Sequence, residues 1–327
     1  MLKKIKSLKL AEKLKKFRLD PAMLTFFVFV MLLLSRLAMK TISEAGNEYL
    51  SLVIFQLLTF GLPAAIWCRL REIGHFRLDR QRYVSKLRMS RPRLSHVIVT
   101  AAAVFALISG CLLLSINFSG ESSLEGSFSL YDTFVSKYNA TPLGALWLIL
   151  AYAALPAIGE ELIFRGILCA EYDKYGVICS VTVSSLWFSL LHFNFAKITV
   201  YIFAGLVLAL LFYATRSLYT VMIAHFVYNL FGIFGQQYIT EFYITAGSVG
   251  VVVIILVIVL LLAAVVFCGG ASKLYARYAK RDEPSDYREP TGRSELIKNY
   301  RSAIINPYAA ACVALFLAVT LIQIFVK

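Results

Sequence analysis

The chain of 327 residues alternates long apolar runs with shorter polar segments. A helix needs roughly 20 predominantly apolar residues to cross the hydrocarbon core of a bilayer. Because no water is available there to satisfy the backbone, such runs cross as helices. The pattern therefore predicts an all-α, polytopic transmembrane helical bundle with about eight to nine spans. The nine candidate spans run from Pro21 to Leu37, Tyr49 to Trp67, Leu94 to Phe118, Leu143 to Ile158, Val177 to Phe195, Ile198 to Thr215, Leu218 to Tyr238, Gly247 to Cys268 and Tyr308 to Val326.

Composition and charge support a membrane protein and indicate its orientation. Hydrophobic residues make up 59% of the chain and charged residues only 16%, whereas soluble domains carry roughly 25% charged residues. The net charge of +14 is concentrated at the N-terminus, in the loop from Arg69 to Arg93 and between Lys273 and Arg301. Basic clusters beside apolar spans face the cytoplasm and attract anionic lipid heads. We therefore expect a cytoplasmic N-terminus, contact with anionic lipid at the basic loops and no nucleic acid partner.

One membrane domain accounts for most of the chain. Residues 1–20 mix lysines with apolar residues at near-helical spacing, which predicts a basic amphipathic segment in the membrane interface. The bundle covers residues 21–270, with a candidate catalytic core at about 143–235. The polar stretch 271–307 predicts a cytoplasmic linker, and residues 308–327 predict a C-terminal transmembrane helix. The six cysteines form no CxxC pair, so they indicate neither a zinc knuckle nor a disulfide framework.

A pair of adjacent carboxylates, Glu160 and Glu161, follows the apolar run that begins at Leu143. Ionisable groups inside a span cost roughly 2.5–3.5 kcal/mol and usually have a partner and a task. On a helix Glu161 and Arg165 share a face, which favours an ion pair, whereas Glu160 is rotated by roughly 100°. We expect Glu161 and Arg165 to be structural partners and Glu160 to remain free for chemistry. The pair of glutamates alone is explained equally well as the charged end of a span.

Two further stretches carry polar side chains on separate apolar spans. Phe188 and His192 are four residues apart on one, and His225 and Asn229 are four residues apart on the next but one. Residues at this spacing share a face of a helix. A lone histidine on an apolar helix is more often a hydrogen-bonded core residue. Two of them on separate spans favour a functional site.

Two hydrolytic arrangements fit Glu160, His192, His225 and Asn229. In the first, the carboxylate takes a proton from water and later returns it, one histidine orients that water, and the other histidine and the amide donate to an oxyanion. In the second, Glu160, His192 and His225 form a zinc set. Either arrangement hydrolyses an amide without a covalent intermediate. No H-E-x-x-H or G-x-S-x-G motif is present.

Two functions other than hydrolysis use similar residues. Glutamates and histidines inside a membrane also build proton relays, so a proton-coupled transporter is one alternative, although no inverted repeat of the spans is evident. A non-catalytic immunity or binding protein that keeps the fold is the other.

The order Glu160-Glu161-x-x-x-Arg165, Phe188-x-x-x-His192 and His225-x-x-x-Asn229 resembles the motif set of the CPBP family. That family comprises the CAAX prenyl endopeptidases and the bacteriocin-processing or Abi-like proteins. The resemblance implies an all-helical intramembrane endopeptidase that cuts a peptide or membrane-protein substrate. By this likeness Glu160 and His192 activate water, His225 and Asn229 stabilise the oxyanion, and Glu161, Arg165 and Phe188 support the site. Family members are described both as zinc metalloproteases and as metal-free enzymes, so the resemblance leaves the cofactor open.

Overall fold

The computed structural model of the protein describes residues 19–44, 48–72, 87–119, 142–280 and 292–325. These residues are almost entirely helical and contain no strand, which confirms the all-α architecture. The α-helices are α1 (Pro21–Glu44), α2 (Glu48–Gln56), α3 (Leu62–Glu72), α4 (Val97–Ser119), α5 (Pro142–Ile149), α6 (Leu155–Glu161), α7 (Cys169–Tyr172), α8 (Val177–Leu191), α9 (Ile198–Thr215), α10 (Leu218–Leu230), α11 (Gln236–Ala246), α12 (Val249–Lys280), α13 (Arg293–Ile304) and α14 (Pro307–Phe325).

Within these described ranges, eight helical stretches are long and apolar enough to cross a membrane. The remaining candidate span, predicted from Val177 to Phe195, is shorter than expected, because α8 ends at Leu191. His192 caps this helix, and Phe193 adopts a positive φ of 48° that turns the chain out of it. The prediction of about eight to nine spans is therefore confirmed. His192 lies at the end of a helix and not inside one.

Several spans are composite helices in which π-helical turns interrupt the α-helix. The stretch from α5 to α7 contains two such turns, Leu150–Ala154 and Leu162–Leu168, on either side of α6. Another, Leu57–Gly61, joins α2 to α3, and a fourth, Phe231–Gly235, joins α10 to α11. A π-helical turn changes the angular register of the residues that follow and occurs frequently at functional sites. Glu160 and Glu161 are the last two residues of α6, directly before one of these turns.

The polar stretch 271–307 is helical at both of its ends. Helix α12 continues through it to Lys280, and α13 covers Arg293–Ile304. Helix α14 matches the predicted C-terminal span. The assignment of 271–307 as a cytoplasmic linker stays a prediction. The predicted amphipathic segment lies almost wholly outside the described residues, as does most of the Arg69–Arg93 loop.

Hydrogen bonds gather several inter-helix turns at one end of the bundle. The amide of Leu218 donates to the carbonyl of Arg88 at 2.9 Å, and the Tyr278 hydroxyl donates to the carbonyl of Thr215 at 3.1 Å. On the same side, Tyr213 donates to Asp173 at 2.5 Å. The described end of the arginine-rich loop therefore lies beside the turns that precede α8 and α10 and beside the end of α12.

Close helix packing brings the motif-bearing helices together. Helix α6 packs against α10, and α8 packs against α9. A Cβ atom at Gly205 of α9 would lie only 2.9 Å from the Cβ of Ser185 on α8. Small residues let transmembrane helices approach closely where lipid provides no hydrophobic driving force. Gly205 therefore sets the separation between α8 and α9.

Candidate active site

The predicted ion pair between Glu161 and Arg165 is present at the centre of the candidate site. Arg165 Nη1 donates to Glu161 Oε1 at 2.8 Å, and both side chains are fully buried. Arg165 Nη2 also donates to the backbone carbonyl of Gly205 at 3.1 Å, which connects the pair to α9. Buried charges are tolerated when they are paired and hydrogen-bonded. The pair thus holds the end of α6 and the following π-helical turn against α9.

Glu161 also binds a histidine from a distant part of the chain. His225 Nδ1 lies 2.7 Å from Glu161 Oε1, the same oxygen that accepts from Arg165. Since a carboxylate oxygen that already accepts from a guanidinium acts as an acceptor, we assign the shared proton to His225 Nδ1. That assignment turns the Nε2 edge of the His225 ring away from the pair. Glu161 therefore orients one of the histidines that the sequence selected as catalytic.

The ring of Phe188 contacts Arg165 of the ion pair and both histidines. Its centroid is 4.4 Å from Arg165 Cζ, 5.0 Å from the His192 ring and 6.1 Å from the His225 ring. A cation over an aromatic face and edge-to-face ring contacts are both favourable. Phe188 is 2% exposed. This buried ring therefore connects Arg165 and His225, which belong to two different motifs, with the motif that contains Phe188 and His192.

His192 is fixed by its own helix and by a neighbouring aromatic ring. Its Nδ1 lies 2.9 Å from the carbonyl oxygen of Phe188, so Nδ1 carries the proton and Nε2 is left as an acceptor. The ring stacks on Tyr201 of α9 at 3.7 Å between centroids and 17° between planes. The imidazole is thereby held in one orientation with its Nε2 edge available.

Glu160 lies next to this arrangement without being part of its hydrogen bonds. Its side chain is half-buried, and it has no hydrogen bond to another described residue. The carboxylate lies within electrostatic reach of His225 and Arg165. The adjacent Glu161, by contrast, holds two partners. Of the two neighbouring glutamates, Glu160 is the one whose carboxylate is not engaged by the described protein groups.

Asn229 lies one helical turn beyond His225 on α10. Its Nδ2 donates to the carbonyl oxygen of Ala153 at 3.4 Å, a long hydrogen bond to the π-helical turn that precedes α6. No hydrogen bond joins Asn229 to the other motif residues in the described part of the chain. The structure therefore brings Glu161, Arg165, Phe188, His192 and His225 into a continuous set of contacts, with Asn229 at its edge.

The candidate metal ligands do not combine into a metal site. Among the described residues, no group of three or more histidine, cysteine, aspartate or glutamate side chains could hold a metal ion. Nδ1 of His225 is engaged by Glu161, and Nδ1 of His192 by the carbonyl of Phe188. With Nδ1 engaged, each ring keeps Nε2 as its possible metal ligand, and in the described part of the chain Glu160, His192 and His225 do not come together as a group that could hold a metal ion.

Two residues of the site carried no distinctive signal in the sequence. Tyr201 is one of many aromatic residues in apolar spans, and its stacking on His192 depends on how α8 and α9 pack. Gly205 accepts from Arg165 through its backbone carbonyl, a contact that side-chain patterns do not encode. A small residue within an apolar span could have suggested a close helix contact at Gly205, although not its partner.

Comparison with protein families identifies the segment that contains all three motifs. A family described as "Type II CAAX prenyl endopeptidase Rce1-like" matches residues 142–231. The match begins at α5 and ends just after Asn229, so it includes each motif helix. Searches of curated proteins and of solved structures gave no match. This match and the three motifs it contains support membership of the CPBP family of membrane proteins, which includes the CAAX prenyl endopeptidases.

Proposed function

We propose that the chain is an intramembrane endopeptidase that hydrolyses a peptide bond with a water molecule activated by Glu160 and His192. One arrangement carries the proposal: two histidines with fixed orientations contact the same Phe188 ring beside a carboxylate that no described group engages. A structural histidine would need no second histidine and no free carboxylate next to it. The match to a family of endopeptidases supports the same reaction class.

In the proposed reaction, Glu160 is the general base and then the general acid. It takes a proton from water that also donates to Nε2 of His192, and the resulting hydroxide attacks the carbonyl carbon of the substrate. When the carbon–nitrogen bond breaks, Glu160 returns the proton to the leaving amine. The carboxylate ends in its starting state, so no covalent intermediate is needed.

His225 and Asn229 would stabilise the negative oxygen of the tetrahedral intermediate. His225 serves as an oxyanion donor through Nε2 when this nitrogen carries a proton, while Nδ1 stays bonded to Glu161. The amide of Asn229 is a second donor once it leaves the long contact with Ala153. Removal of one oxyanion donor typically costs about 10²–10³ in kcat. No step of this mechanism passes through a metal ion.

A prenylated peptide is one substrate class that the family name suggests, and an unmodified leader peptide or small membrane peptide is the other. The test uses the purified full chain in lipid nanodiscs. One fluorescence-quenched peptide ends in farnesyl-cysteine followed by three residues, and a second has the same sequence without the farnesyl group. Cleavage of either peptide supports an endopeptidase, and the ratio of the two rates identifies the preferred class.

Variants connect such cleavage to the site. Glu160→Gln and His225→Ala should each abolish turnover while the protein still inserts and purifies. Glu241→Gln is the matched control, because Glu241 is an exposed residue of α11 outside the site. Normal turnover in either site variant would contradict the proposed mechanism.

We further propose that the N-terminus and the arginine-rich loop face the cytoplasm, where their basic side chains contact anionic lipid. The gathering of the described inter-helix turns at one end of the bundle is consistent with this orientation. A tag at the N-terminus should react with antibody only after the membrane of intact cells is permeabilised. Labelling of intact cells would reverse the proposed orientation.

A further inference from the structure

His192 lies at the C-terminal end of its helix. Helix α8 ends at Leu191, and the chain turns away at Phe193 with a φ of 48°. The imidazole is only half-buried. A side chain at a helix end keeps more rotational freedom than one packed inside a helix, unless other groups hold it. Its orientation therefore depends on the particular contacts that the ring makes.

Three contacts provide that restraint, and one of them comes from another span. The carbonyl of Phe188 accepts from Nδ1 at 2.9 Å, and the Phe188 ring meets the imidazole at 65° with 5.0 Å between centroids. The third contact is the stacked ring of Tyr201, 3.7 Å away and tilted by 17°. Rotation of the imidazole about its last side-chain bond would drive its edge into the Tyr201 ring. Tyr201 is thus the contact that limits this rotation.

Tyr201 is itself anchored in the first turn of α9. Its backbone amide donates to the carbonyl of Lys197 at 3.1 Å. Its half-buried side chain lies within electrostatic reach of Glu160. The ring therefore covers one face of His192.

We propose that Tyr201 is a positioning residue of the active site: its ring holds His192 with the Nε2 edge directed at the water that Glu160 deprotonates. The inference rests on the proposed function, since it assigns a task to His192 within that reaction. It requires the aromatic face of Tyr201 and not its hydroxyl group. A purely structural role, in which Tyr201 only packs the start of α9 against the bundle, is the competing explanation.

Three variants separate these explanations in the nanodisc assay with the better of the two quenched peptides. Tyr201→Phe keeps the aromatic face and should retain a kcat close to that of the unmodified protein. Tyr201→Leu removes the face and should lower kcat by about 10- to 100-fold, because a small misplacement of a catalytic group has effects of that size. KM should stay unchanged in both variants, since Tyr201 acts through His192 and not on the bound peptide.

Phe203→Leu is the matched control, because it removes an aromatic ring from the same helix. Phe203 packs against Gly110 of α4. If Tyr201→Leu and Phe203→Leu lower kcat and the thermal midpoint to the same extent, α9 has merely loosened and the inference is wrong. It is equally wrong if Tyr201→Phe loses as much activity as Tyr201→Leu, since the hydroxyl would then be the important group.

Measurements on the unmodified protein and on Glu160→Gln distinguish a failure of the proposed function from a failure of the role assigned to Tyr201. If neither peptide is cleaved by the unmodified protein, the proposed function fails. If the unmodified protein cleaves, Glu160→Gln does not, and Tyr201→Leu keeps full kcat, the proposed function stands and the role of Tyr201 is refuted.

Discussion

Nδ1 of His225 lies 2.7 Å from Oε1 of Glu161, although 64 positions separate the two residues in the chain. The same oxygen accepts from Arg165, so one buried carboxylate connects an ion pair to a histidine of the candidate site. A histidine that donates to a carboxylate has a fixed ring orientation. Glu161 thus combines support of the fold with control of His225.

The adjacent glutamates should respond differently to the same substitution. Glu161→Gln leaves Arg165 buried without its carboxylate, and breaking a buried pair in this way costs roughly 3–5 kcal/mol. We expect a lower thermal midpoint in detergent together with lost cleavage. Glu160→Gln should lose cleavage at an unchanged midpoint, because no described group binds its carboxylate. Equal thermal midpoints for the two variants would contradict this division of roles.

Removal of the Phe188 ring should affect both stability and turnover. Phe188→Ala deletes the contacts to Arg165, His192 and His225 and leaves a cavity, which costs about 3–5 kcal/mol for a buried phenylalanine. Phe105→Ala on α4 is the control, since Phe105 is 57% exposed and its loss should barely change the stability. Thermal unfolding and kcat are measured for both. The expectation fails if Phe188→Ala is as stable and as active as the control.

A methyl group at Gly205 should separate two helices of the site. In Gly205→Ala the new Cβ would lie 2.9 Å from Ser185 Cβ and 3.0 Å from its Cα. Overpacking of this kind typically costs about 1–3 kcal/mol, and the movement should weaken the hydrogen bond from Arg165. We expect a reduced thermal midpoint and reduced cleavage.

Gly269→Ala is the control for that substitution. Gly269 is also helical, but a Cβ there would meet no atom within 4 Å. Its thermal midpoint should stay the same or rise slightly, since alanine favours a helix by about 0.5–1 kcal/mol over glycine. A loss of stability in both variants would show that alanine is destabilising at either helical glycine and that the close contact with Ser185 does not explain the effect at Gly205.

Cleavage should survive the removal of metal ions. Because the described residues contain no group of three or more suitable ligands, we expect the rate to be unchanged after dialysis against a chelator. The metal content of the same sample is measured by mass spectrometry. A rate that falls on dialysis and returns with added zinc would contradict the metal-free mechanism and would require the site to rearrange around the ion.

Local patterns in the sequence were enough to predict the spans and one contact. Hydropathy is read from consecutive residues, so a span can be predicted without knowing its neighbours in space. Eight of the nine candidate spans coincide with long apolar helices of the described residues. The ion pair between Glu161 and Arg165 follows from helical periodicity within one segment. The span ending near His192 was predicted too long, because Phe193 is apolar and its positive φ is a backbone property that hydropathy does not record.

Contacts between distant segments required the tertiary structure. The sequence assigned Glu161 to a purely structural pair, and it contains no pattern that connects position 161 with position 225. It likewise gave no reason to select Tyr201 among the aromatic residues of the spans. Such contacts depend on which helix faces pack together, and this is decided by close approaches such as that of Gly205 to Ser185.

The sequence by itself therefore determined a helical membrane bundle and the identity of the polar residues inside it, because an ionisable group in an apolar span is visible from composition alone. Only the tertiary structure decided that Glu161 holds His225, that Phe188 touches His225 and that Tyr201 covers His192. The physical reason is that each of these contacts joins side chains from different helices, whose relative rotation and separation are set by packing of the whole bundle.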